Sequence, residues 1–323
     1  MRLAKFILLV LVAAVTHTSL VLGQSPEPVG YWDNRFGPED EGGMGANAFV
    51  LAAAVHPVTG DVYAGGSFTS AGGVRTFRIG RWNGSEWFPV GGGTRGEVRA
   101  LAFAPDGTLY VVGAFTKVEQ TDGTVIDAAF IAQWDGTSWS ALGRGLSWRT
   151  QTLAYDARNG YLYVGGDFDF AINADSSIVA SAKVVYWDGS NWQPMGRGLV
   201  PAFGHVVSTL AVDPTSDRVL VGGQLVRSVF NADSTEIVAN GLAVWDGTSW
   251  STIGSPESGL GLDEVVFDSG GQIYAGGIFT TIGGQEANSL ARYNGNSWES
   301  LGGGIENGTV YTILPTEGGL FVG

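Results

Sequence analysis

The sequence predicts an all-β protein, a β-propeller of four-stranded antiparallel blades, and three observations carry the prediction. An apolar stretch ending in a glycine pair or its near match occurs five times: VYAGGSF at 62–68, LYVVGAF at 109–115, LYVGGDF at 162–168, VLVGGQL at 219–225 and IYAGGIF at 273–279. A turn flanked by aromatics follows each one: RWNGSEW at 81–87, QWDGTSW at 133–139, YWDGSNW at 186–192, VWDGTSW at 244–250 and RYNGNSW at 292–298. Nine of the eleven tryptophans lie in these turns, Trp32 fits the frame as the start of a lone fourth strand, and only Trp148 lies off it. A unit of about fifty residues repeated in step marks a repeat architecture.

Each unit reads as four short strands. The first alternates, as in VRALAF at 98–103, and ends at a turn such as PDG at 105–107. The second is the glycine-paired run, rich in β-branched and aromatic residues. The third ends at the first aromatic of the turn and the fourth begins at the second, as in FIAQW at 130–134 and WSALG at 139–143. Asp-Gly or Asn-Gly between them supplies the positive φ of a tight hairpin. A lone meander cannot cover both its faces, whereas sheets stacked radially about an axis cover each other.

At the N-terminus, Arg2 and Lys5 precede an apolar run from Phe6 to Val15, and small residues follow up to Gly23. That order describes a signal peptide over residues 1–23, which implies a secreted or cell-surface protein. The run is too short to span a bilayer comfortably, and Gly, Asp or Asn interrupts every later one, so no membrane span is expected. Residues 24–323 are expected to form the propeller. They divide into an N-terminal segment at 24–48, blades at 49–96, 97–149, 150–204, 205–261 and 262–308, and the start of a further blade at 309–323. Trp32 and Phe36-Gly37 resemble a fourth strand without its first three, while TVYTIL at 309–314 and GGLFVG at 318–323 resemble strands one and two. One ring closed from both ends gives six blades, with seven as the alternative. The stop inside a glycine pair at Gly323 gives a chain truncated at its C-terminus.

The formal charge is −14, and removing Arg2 and Lys5 with the signal peptide makes it −16. Such a surface repels polyanions, which excludes nucleic acid as a partner. There is no Cys, so no disulfide staples this exported chain and a lipid-anchored lipoprotein is excluded. Stability has to come from buried area.

The glycine pair followed by the aromatic turn resembles kelch repeats and the central propeller of galactose oxidase. The fuller wording, LYVGG.F followed by IA.WDG.SW..LG.G, is closer still to secreted bacterial propellers of this repeat type and to fungal cortical polarity-marker propellers. The resemblance covers residues 32–323 and implies a fold, not an activity. The copper chemistry of galactose oxidase does not carry over: its centre needs two His, two Tyr and a Cys, and this chain has no Cys and, beyond residue 23, only His56 and His205. The Asp-box turn of sialidases does not match either, because Asp135 and Gly136 are adjacent.

Chemistry has to be weighed against packing. Aromatics that recur once per unit read as inter-blade packing rather than sugar platforms. Asp135, Asp188 and Asp246 read as hairpin-turn residues, and NADSS at 173–177 and NADST at 231–235 as hairpin tips without the spacing of a calcium loop. The glycine pairs precede no helix and are no phosphate cradle. No catalytic residue, metal site or cofactor is therefore assigned. In a meander the two–three and four–one connections share one face, and residues 116–129, 169–182, 226–240, 144–149 and 197–205 put nearly all length variation there. Functional residues concentrate on variable loops, so that face is the expected binding surface, with Trp148, Arg149, Phe203 and His205 as candidates. The expected function is a monomeric, non-catalytic binding or scaffold module for an extracellular protein or glycan. The alternative is an extracellular polysaccharide hydrolase or lyase with carboxylates at the central channel.

Overall fold

The structure, a computed structural model, describes residues 45–201, 207–223, 226–257, 259–306, 308–316 and 318–323. The expected signal peptide, the closing strand around Trp32 and Phe36, and the candidates Phe203 and His205 lie outside the described residues.

The described chain is all β. In each of five sheets four strands pair in sequence order as an antiparallel meander, and in the second sheet the return arm of a hairpin adds a fifth. The first sheet holds Val50–Val55, Val62–Gly66, Ile79–Trp82 and Trp87–Pro89, and the other four repeat that plan. A two-stranded hairpin, Ile313–Thr316 with Gly319–Val322, ends the chain. The first strands touch in succession, Val50–Val55 against Gly93–Phe103, then Thr150–Asp156, Thr209–Val212, Gly259–Phe267 and Ile313–Thr316. Sheets meeting through their first strands in this way make a β-propeller, with the first strand of every unit innermost.

The repeated residues build these contacts. Second strands are buried along nearly their whole length, as at Val62–Gly66 and Tyr161–Gly166, so they take apolar and small residues. At Gly66, Gly113, Gly166 and Gly277 the second glycine of the pair abuts the backbone at the start of its own first strand. A Cβ on Gly66 would lie 2.0 Å from the Phe49 carbonyl oxygen, and one on Gly113 would lie 2.0 Å from that of Glu97. In the hairpin between strands three and four, the Asp135 carboxylate accepts from the amides of Thr137 and Ser138 at 2.8 and 2.7 Å. The Thr137 hydroxyl and these amides hold Asp135 well below the usual carboxylate range, and Gly136 completes the turn at φ +96°. The turn accounts for this aspartate.

The framed tryptophans bolt one unit to the next. Cross-strand partners such as Trp134 and Trp139 pack with ring centroids 5.2 Å apart. The fourth-strand Trp then donates its indole N–H to a carbonyl just beyond the preceding unit's fourth strand. Trp139 reaches Val90 at 3.1 Å, Trp192 reaches Leu142 at 3.2 Å, and Trp250 and Trp298 reach Met195 and Ile253, both at 2.9 Å.

The connections expected as variable loops are ordered differently. Gly145–Leu146, on the way from the second unit to the third, pairs with Ala171–Ile172 of the third unit's two–three hairpin. Gly198–Pro201 pairs with Val226–Phe230 in the same way. The hairpins then fold toward the outer strands: the Asn173 side chain accepts from the Trp192 amide at 2.6 Å, and Asn231 from that of Trp250 at 2.7 Å. Arg144 and Arg197 reach the tip serines, Ser176 and Ser234, at 2.7 and 2.6 Å. The extra length thus forms latches between neighbouring units.

Candidate functional site

On the inner part of that face, the first strands supply the variable chemistry. Four of them shift register at their second position, between Val50 and Ala52, Val98 and Ala100, Thr150 and Thr152, and Leu262 and Glu264. The skipped residue is a β-bulge, which frees a side chain from the pairing pattern and re-aims it. The bulge residues are Leu51, Arg99, Gln151 and Asp263, on the innermost strand of their units.

Two of these residues meet across the seam between the second and third units. The Arg99 guanidinium donates to Glu97 at 2.8 Å and to the Gln151 side-chain carbonyl at 2.6 Å. The Gln151 amide donates to Asp167 at 3.3 Å, and Arg149 donates to the same Asp167 oxygen at 3.0 Å. Asp167 directly follows the glycine pair, and its backbone amide donates to the Arg149 carbonyl at 3.0 Å. Beside it, Lys183 donates to the Asp167 carbonyl at 2.8 Å and to the Asp169 carboxylate at 2.7 Å. Beneath the chain, the buried Thr150 hydroxyl accepts from the Gly113 amide and donates to the Phe130 carbonyl, both at 2.8 Å.

Trp148 sits next to this network. It is 56 % exposed, whereas none of the nine framed tryptophans among the described residues exceeds 9 %. Its ring lies 6.0 Å from that of Phe130, tilted by 46°. Phe130 is held at φ +67°, a left-handed conformation unfavourable for a bulky side chain. Arg78, Lys183 and Ser289 share that conformation at the entry to their own third strands, because the residue there must turn its carbonyl to the amide of the second glycine. The strain therefore belongs to the repeat. At this seam alone the position carries an aromatic ring that packs against Trp148.

Of the four residues the sequence singles out, Trp148 and Arg149 are thus placed at one seam, and the other two are not described. Glu97, Arg99, Gln151, Asp167 and Phe130 escaped the sequence reading. A signal existed: with the first strands VLAAAV, VRALAF, TQTLAY and VSTLAV aligned, the second position changes between apolar, charged, amide and hydroxyl while its neighbours stay small or apolar. Two shallow concavities, of about 500 and 520 Å³, lie elsewhere, beside Tyr274 and the terminal hairpin and beside Trp192 and Arg197. Neither gathers opposed charges as the seam does. Among the described residues no three His, Asp or Glu side chains converge to hold a metal ion, and no helix is long and apolar enough to cross a membrane.

A family model described as a domain of unknown function (DUF5122) beta-propeller matches residues 271–297, about the length of strands two and three of one unit. No curated protein matches the chain. Among solved structures, a GH74 enzyme from Niastella koreensis aligns at TM-score 0.47 and 17 % identity, covering 79 % of this chain and 37 % of that one. The chain thus spans little more than a third of that enzyme's length. A gluconolactonase from Xanthomonas campestris aligns at TM-score 0.46 and 14 % identity, covering 86 % and 84 %. A nidogen/laminin complex aligns at 0.43 and 16 %, covering 76 % and 75 %.

Proposed function

We propose that this chain is an exported, non-catalytic binding propeller that takes its ligand at the seam between its second and third units. The observation that carries the reading is the exposed Trp148 ring beside an ordered network of Arg149, Asp167, Gln151, Arg99 and Glu97. Every framed Trp that is described goes into packing, and this one is spent on the surface. A rigid aromatic flanked by preorganised donors and acceptors gives contact area and direction at low entropic cost. Export rests on the charged, apolar and small residues of positions 1–23.

Two features weigh against the polysaccharide hydrolase or lyase. The seam carboxylates Glu97 and Asp167 are each engaged by a guanidinium in an ion pair of 2.8 and 3.0 Å. Burial raises the proton affinity of Glu264, to about 7, but its carboxylate accepts from the Ile313 amide inside another seam. A ligand screen on glycan arrays and by pull-down, run with the chain and with Trp148→Ala and Arg149→Ala, tests the proposal. Retention that both substitutions weaken is expected. Retention indifferent to both, or release of reducing ends from a polysaccharide that stops in Asp167→Asn, would replace it.

A further inference from the structure

We infer that the ligand of this seam is a neutral glycan rather than an acidic polysaccharide or a protein; the inference rests on the binding reading above. Three observations lead to it. The first is charge. Glu97, Asp167 and Asp169 are matched one for one by Arg99, Arg149 and Lys183, each in an ion pair of 2.7–3.0 Å, so the site has a formal charge of zero within a chain at −14. An acidic polymer gains no attraction there and is repelled by the rest of the surface.

The second is the shape of the polar groups. Guanidinium, carboxylate and carboxamide are planar and display donors and acceptors side by side. Here they are held in one chain of hydrogen bonds from Glu97 to Arg149. Vicinal sugar hydroxyls donate and accept at once, and so match such groups without needing net charge. The third is scale. The apolar part of the seam is one exposed indole backed by a half-buried Phe130. That is enough to stack one face of a pyranose ring, and far below the apolar core that a protein interface of about 800 Å² per partner requires.

The test is affinity gel electrophoresis of the full chain in gels cast with glucomannan, hydroxyethylcellulose or dextran, and in parallel with alginate or polygalacturonate. Retardation is expected in a neutral gel, unchanged when salt rises from about 0.05 to about 0.5 M because there is no ligand charge to screen. Trp148→Ala should weaken it about tenfold or more, Gln151→Ala should weaken it too, and Trp148→Phe should restore part of it. Melting curves that stay unchanged for Trp148→Ala separate lost binding from lost folding. Trp148-dependent retardation only in the acidic gels, lost in salt, would overturn the neutral-glycan assignment and leave the binding site standing. So would Trp148-dependent capture of a protein with no retardation in any gel. No retention of any probe, or retention indifferent to Trp148, would overturn both.

Discussion

Glycine at the second position of the pair, as at Gly66, Gly113, Gly166 and Gly277, marks a close approach of two backbones, and that contact fixes its identity. In Gly113→Ala the new Cβ would meet the Glu97 carbonyl oxygen at 2.0 Å, and a backbone atom cannot swing aside as a side chain can. The strand has to shift, at a cost of at least about 1–3 kcal/mol, read as a lowered midpoint in thermal or urea unfolding. The tryptophans separate by role in the same measurement. Trp139→Ala opens a cavity and removes the donor to Val90, and should cost about 3–5 kcal/mol. Trp148→Ala removes an exposed ring and should stay within about 0.5 kcal/mol while weakening binding. If both behaved alike, the division of the tryptophans into bolts and a contact residue would be wrong.

At the scale of the element, the innermost strand carries both the site and a pH response. Glu264 stands one residue beyond the bulge of its strand, at the position that holds Thr209 in the preceding unit. The two residues do the same job. The Thr209 hydroxyl accepts from the Val265 amide at 3.1 Å, and the Glu264 carboxylate accepts from the Ile313 amide. Burial pushes Glu264 up to about 7 despite that donor and the Thr312 hydroxyl, from an ordinary value of 4.5. The folded chain therefore keeps a proton that the unfolded chain releases over this interval. Stability from this group is complete below about pH 4.5 and is lost as the pH rises through 7. Glu264→Gln should flatten that decline in a series of melts from pH 4 to 8, and an identical decline in the variant would refute the assignment. The two–three hairpins act as latches, so Asn173→Ala, which strips the Trp192 amide of its acceptor, should cost about 1–3 kcal/mol. Strand type and hairpin chemistry were legible from alternation, glycine pairs and Asp-Gly turns. The bulge was not: the second position of the first strands varies in sequence, but the bulge adds no turn residue, and only the pairing register shows it.

Across the whole molecule, each unit leans on its neighbours through first strands, indole bolts and latches. Stability in such an array is a sum of unit and seam terms, so local loosening stays local. Hydrogen exchange should be slowest for the buried second strands, such as Tyr161–Gly166, and faster by orders of magnitude at exposed tips such as residues 174–177. Uniform protection would argue against seam-by-seam stability.

Read alone, the residues settled what depends on local chemistry and repetition: four strands to a unit, tight Asp-Gly hairpins, once-per-unit aromatics kept for packing, and Trp148 as the exception. Such features arise from steric and hydrogen-bonding preferences that act over a few residues. Only the tertiary structure decided where the long connections go and which side chains share a seam. Glu97 and Arg99 meet Gln151 and Asp167 from more than fifty residues away, through a bulge and a neighbouring sheet whose positions no local pattern encodes.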